Sequence, residues 1–157
     1  MHFAAQENHE AVVLELIKVK ANLESKDELK CTALHLACKK GSQACIELLL
    51  KYNAEIYAQD NRKWTPLHYA SYNGHPKAVN FLLKWEADFD RLITMKNTQE
   101  KTAFIISKND KVKKAFERKY NPTFKFLSYS IVDIWKASKD GNLDMVRMMI
   151  REGQNML

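Results

Sequence analysis

The chain has 157 residues and a net charge of +6, with 25 Lys and Arg against 19 Asp and Glu. That length supports one domain with a substantial core. No apolar run approaches the roughly 20 residues that cross a bilayer as a helix, so a helical membrane span is excluded for these residues.

In chain order, the first segment carries Met1-His2-Phe3-Ala4-Ala5 and then the apolar pairs Val12-Val13 and Leu16-Ile17, spaced for one stripe of a helix. Thirty-three residues after the first of these comes Thr32-Ala33-Leu34-His35-Leu36-Ala37, and after another 33 comes Thr65-Pro66-Leu67-His68-Tyr69-Ala70. His2, His35 and His68 are one position repeated. Thr32 and Thr65 suit a helix N-cap, because a hydroxyl accepts from the orphan amides of the first turn. Pro66 fits the first helical position, where its missing N–H costs nothing. Each short helix stops near Gly41 or Gly74. A second helix follows, with stripes Cys45-Ile46 and Leu49-Leu50, then Ala78-Val79 and Leu82-Leu83, Pro76 sitting in the first turn of the latter. Each unit is a helical hairpin too small to bury its own apolar sides, so units must stack.

The period and the T-P-L-H-x-A core resemble those of the ankyrin-repeat family over about residues 1–107. The resemblance implies an all-α repeat solenoid with short β-hairpins, built from 33-residue helix-turn-helix units. It places hairpins at Ser25–Thr32 and Tyr57–Thr65 and gives His35 and His68 a structural role beside the capping threonine. The family usually has glycine at the hairpin tip, where this chain has Lys30 and Lys63, and glycine after the second helix, where it has Lys20, Asn53 and Glu86. A lysine held at positive φ costs on the order of 1 kcal/mol.

The domain reading is an array over 1–120: a partial first repeat 1–25, repeats 26–58 and 59–91, and a degenerate, capping-like repeat 96–120. Thr65 to Thr102 spans 37 residues, so four extra residues fall around Leu92–Met95, and Thr102–Ser107 resembles a repeat start with Ile105 in the histidine position. A short charged helix is expected near Lys111–Lys119. Asn121-Pro122 ends it, residues 121–130 read as a linker, and 131–157 as the start of a second ankyrin-like array. The chain thus reads as a fragment or isoform of a longer protein, with frayed terminal repeats as the alternative.

Cys31, Cys38 and Cys45 are odd in number and lack paired C-x-x-C spacing, which argues against a disulfide framework and against zinc. The expected setting is reducing and intracellular: the cytoplasm, with the nucleus as the alternative. There is no glycine-rich phosphate loop, nucleophile elbow or paired cysteine–histidine arrangement, and the carboxylates are scattered. No catalysis, metal, cofactor or small-molecule substrate is therefore expected.

The resemblance implies a protein partner docked on hairpin tips and the edge of the first helices. Carried onto this sequence, those positions are Glu28, Leu29, Cys31, Lys39 and Lys40; then Asn61, Arg62, Trp64, Tyr72 and Asn73; and, in the first repeat, Gln6 and Glu7. A scaffold or adaptor is the favoured function, with a regulatory segment of a larger enzyme or channel as the alternative. Lys108, Lys111, Lys113, Lys114, Arg118, Lys119 and Lys125 crowd one stretch. They read as a solvated capping face, or alternatively as a basic surface for an acidic protein, an anionic membrane or a nucleic acid. Aromatic residues do not alternate with these lysines, which weakens the nucleic-acid alternative.

Overall fold

The computed structural model describes residues 1–85 and 89–119. The linker and second array expected beyond residue 120, and Glu86, lie outside the described residues. Met1–Lys119 form one compact unit. Its helices are α1 (His2–Gln6), α2 (Glu10–Lys18), α3 (Ala33–Lys40), α4 (Gln43–Lys51), α5 (Pro66–Tyr72), α6 (Pro76–Trp85), α7 (Phe89–Thr94) and α8 (Asp110–Lys119).

The helices pair within each unit, α1 with α2, α3 with α4 and α5 with α6, and the pairs stack. One layer runs α1, α3, α5; the other runs α2, α4, α6, α8. The stripes read from the sequence form the contact. Cys45, Ile46, Leu49 and Leu50 are buried on α4, and Ala78, Val79, Leu82 and Leu83 on α6. In α2 only Val13 is buried, while Val12, expected in the stripe, is 50% exposed. The reason is geometric: among the described residues α1 and α2 have a neighbouring pair on one side only.

Thr32 and Thr65 do cap α3 and α5, and in both the histidine three residues on completes a capping box. Pro66 is the first residue of α5. Gly41 ends α3 at φ 73°, a left-handed cap that glycine adopts without penalty.

The hairpins between units are tight turns rather than extended strands; the one bridge among the described residues is Lys96 with Thr102. Each turn is organised by a side chain not singled out in the sequence. Asp27 Oδ1 accepts from the amides of Leu29 and Cys31 at 2.9 and 2.8 Å. Asp60 Oδ1 accepts from Arg62 and Trp64 at 2.7 and 2.8 Å. Asn97 Oδ1 accepts from Gln99 and Lys101 at 2.9 and 3.1 Å. Adjacent turns are bonded through Asn61 N to Leu29 O at 3.0 Å and Thr98 N to Arg62 O at 2.9 Å.

The tips Lys30 and Lys63 hold φ of 61° and 56°, and Lys20 and Asn53 hold 59° and 64°. Lys63→Gly is therefore expected to raise the unfolding free energy by about 0.5–1 kcal/mol, the relief of left-handed strain less the entropy glycine adds to the unfolded chain. Urea titration measures it. A loss of stability would mean that the lysine stem contributes packing that outweighs the strain.

Three of the four extra residues, Leu92, Ile93 and Thr94, form the end of α7, with Leu92 and Ile93 buried. Arg91 lies 4.1 Å from the Tyr57 ring centroid, tying this insertion back to the Tyr57–Thr65 hairpin. Thr102–Ser107, read as a repeat start, does not form a helix: residues 103–106 are turns. Thr102 Oγ1 accepts only the Ile105 amide, at 3.4 Å. Isoleucine in the histidine position offers no ring nitrogen, so the reciprocal cap bond is missing. The unit closes through α8, which lays Val112, Ala115 and Phe116 inward and packs on α6.

Candidate functional site

The repeated histidines hold the frame together. In His35, Nδ1 accepts from the Thr32 amide at 3.0 Å and faces its hydroxyl at 2.9 Å, while Nε2 donates to the Trp64 carbonyl at 3.1 Å. In His68, Nδ1 meets the Thr65 amide and hydroxyl at 3.3 and 2.8 Å, and Nε2 donates to the Lys101 carbonyl at 3.1 Å. Carbonyls only accept and amides only donate, so both rings are the neutral Nε2–H tautomer. His2 Nε2 meets the Cys31 carbonyl at 3.0 Å in the same way. The imidazoles of His35 and His68 thus bolt one helix cap to the next hairpin, and that of His2 joins α1 to the hairpin after it. Burial lowers the pKa of His35 and lowers that of His68 to about 4. A parallel set of links joins the helix-to-helix turns, with Ser42 Oγ donating to Gln6 O at 2.7 Å and His75 Nε2 donating to Lys39 O at 3.0 Å.

The cysteines are free and buried. Burial pushes the Cys38 thiol well above its usual range and raises those of Cys31 and Cys45. Cys31, carried onto the partner-facing positions by resemblance, is 1% exposed and so cannot touch a docked protein. Its Sγ lies 3.4 Å from the Tyr69 hydroxyl instead.

That hydroxyl is the hub of a cluster beneath the Tyr57–Thr65 hairpin. Tyr69 donates to Asp60 Oδ2 at 2.9 Å and accepts from an Arg62 Nη at 3.0 Å. Arg62 Nε stands 3.6 Å from the same carboxylate oxygen. Burial holds the Tyr69 phenol protonated by raising its pKa. The Asp60 side chain is 1% exposed and committed to these contacts, whereas the Arg62 side chain is 56% exposed.

Above this hub lie the aromatic positions. Trp64 packs edge-on against Tyr69 and Tyr72 at 5.2 and 5.3 Å between centroids. The Arg62 guanidinium sits 4.7 Å from the Trp64 centroid. Lys108 Nζ sits 4.5 Å from that of Tyr72 and 3.4 Å from its hydroxyl. Trp64 is half-buried and Tyr72 is 43% exposed. Trp64 packs on Tyr69, which fills a position held by Leu36 one repeat earlier. A tryptophan, a buried tyrosine five residues on and an arginine two residues before it were visible, but not their convergence.

Glu28, Leu29, Lys39, Lys40, Asn61 and Asn73 are all exposed, as are Glu7, Lys108, Lys111 and Lys114; Gln6 and Lys113 are half-buried. Glu28 and Leu29 neighbour Asn61 through the hairpin bonds, including Asn61 Nδ2 to Glu28 O at 3.3 Å. The side chains of Arg118 and Lys119, and all of Lys125, lie outside the described residues.

No curated protein matches the chain. A family model described as ankyrin repeats in three copies matches residues 1–93, the span of the three histidine-bearing units. Ankyrin repeats are generally protein–protein interaction modules and typically carry no catalytic chemistry. With its 33-residue period, its threonine–histidine caps and its two stacked helix layers, the chain belongs to the ankyrin-repeat family.

Proposed function

We propose that the chain is a non-catalytic scaffold or adaptor module that holds a partner protein in the concave groove between its hairpin tips and first helices. The observation that carries this reading is the Trp64–Tyr72 pair, a large aromatic surface left partly open beside exposed Arg62 and Asn73. Tryptophan, tyrosine and arginine dominate interface energetics when they sit near the centre of a patch. The frame beneath them is fixed by Asp60, Tyr69 and His68, so docking there orders few side chains. Unpaired buried thiols support an intracellular, reducing setting.

A photo-crosslinking residue at Tyr72 or Asn61 should capture one partner that the same residue at Lys51, on α4, does not. Trp64→Ala should then cost more than about 2 kcal/mol of affinity for that partner. The fold should lose less, about 1–2 kcal/mol, because the indole is only half-buried. Affinity that survives in a folded but destabilised Trp64→Ala protein would make the indole a packing residue and sink the proposal.

A further inference from the structure

We infer that the segment bound in this groove is acidic, with an apolar side chain set between its carboxylates. The inference rests on the groove being the docking surface and names the chemistry it selects. Two exposed cations flank the aromatic pair, Arg62 over Trp64 at 4.7 Å and Lys108 over Tyr72 at 4.5 Å. Lys39 occupies the position of Tyr72 one repeat earlier, with Lys40 beside it, and both are exposed; Lys63 stands exposed at the adjoining tip. The carboxylate nearest the cluster, Asp60, is buried and already holds the Tyr69 hydroxyl, two amides and, at 3.6 Å, Arg62 Nε, which leaves Lys108, Lys39, Lys40 and Lys63 as cations with no carboxylate of the cluster beside them. Glu28 and Glu100 stand on the flanking tips, so the centre of the groove is left positive.

The placement of the cations decides what kind of anion fits. Arg62 bonds Tyr69 through one nitrogen, faces Asp60 through Nε and rests on the indole, so the head is fixed and its other terminal N–H groups are held in place to meet a carboxylate. The same stacking occupies the aromatic surface that a nucleobase would need: Arg62 covers Trp64, Lys108 covers Tyr72, and the two rings meet edge to face. A cation thus stands on one face of each ring, an arrangement that suits aliphatic groups set between carboxylates better than a run of stacked bases.

The test uses three fluorescent peptides of equal length with the same leucine and phenylalanine positions, the others being Glu and Asp, Gln and Asn, or Lys. Fluorescence anisotropy follows their binding to the full chain at low and physiological salt. The acidic peptide should bind at least tenfold more tightly than the neutral one, the basic one not at all, and its affinity should fall as salt rises. Arg62→Gln with Lys108→Gln should weaken it at least tenfold. Lys39→Gln with Lys40→Gln, which leaves the hub untouched, should weaken it several-fold with an unchanged unfolding midpoint. Lys111→Gln with Lys114→Gln should have no effect.

Equal binding of the acidic and neutral peptides, both lost in Trp64→Ala, would overturn the charge inference and leave the groove standing. Loss confined to the Lys111 and Lys114 variant would overturn both. Tighter binding of a single-stranded oligonucleotide at the groove would replace the acidic segment with nucleic acid. Absence of binding by any of the peptides at about millimolar concentration, far weaker than a specific interface requires, would also overturn the inference.

Discussion

Asp60→Ala is expected to lower the unfolding free energy by about 3 kcal/mol, among the largest effects of any polar substitution in the array. Its carboxylate is nearly inaccessible and serves four groups: the Arg62 and Trp64 amides, the Tyr69 hydroxyl and the Arg62 guanidinium. Truncation strands the buried hydroxyl and releases the hairpin amides, each orphaned buried group costing about 1–3 kcal/mol, less where water can enter. Asp27 provides the internal comparison. It holds two hairpin amides in the same geometry but anchors no tyrosine, and it is only half-buried. Asp27→Ala should therefore cost less, about 1–2 kcal/mol. Asp60→Asn should fall between, since Asn97 organises the next hairpin with an amide oxygen. Chemical denaturation of the three variants measures the order. Equal losses for Asp60→Ala and Asp27→Ala would mean that the Tyr69–Arg62 contacts add nothing to stability.

Acidification should destabilise the array through the capping histidines before most carboxylates titrate. Native His68 stays neutral to about pH 4, against an ordinary value of 6.5, and the pKa of His35 is lowered in the same direction. Below pH 6.5 the unfolded chain takes up protons that the native imidazoles refuse. The stability they contribute is complete above about pH 6.5 and is lost as the pH falls toward about 4. For His68 alone the loss is on the order of 3 kcal/mol across that window, because each pH unit within it is worth about 1.4 kcal/mol. His68→Gln should cost about 1–2 kcal/mol at pH 7.5, because a neutral amide replaces some of the ring's bonds, and should flatten the slope below pH 6.5. His68→Ala should cost more, since Thr65 and the Lys101 carbonyl both lose a partner. Unfolding curves from pH 7.5 to 4.5 test this. A wild-type slope unchanged by His68→Gln would place the acid sensitivity elsewhere.

Much of the frame was written in the sequence as repetition. The threonine caps, Pro66, the glycine stops and the stripes of α4 and α6 each follow from a local preference that recurs at the same offset, so every copy reinforces the others. Asp27, Asp60 and Asn97 recur yet escaped, because a lone polar residue in a polar turn gives no local sign of the amides it will bind, and the change to Asn and the 37-residue interval hid the third further. The missing helix at 103–106 was signalled by Ile105 in place of histidine, a substitution whose consequence is clear only once the ring is seen bonding in both directions. The groove was legible as a set of exposed positions. Its chemistry was not, because Trp64, Tyr69, Tyr72, Arg62 and Lys108 come from a hairpin, a helix and the following turn, and only folding brings their rings and charges within contact distance.

Docking of a partner against the hairpin tips and first helices can be read residue by residue from amide hydrogen exchange on the chain with and without its crosslinked partner. Protection should appear at residues 60–64 and 69–73 and extend to 28–31 and 39–40, leaving α8 unchanged. Protection confined to residues 110–119, with the Trp64 hairpin exchanging as in the free chain, would contradict it.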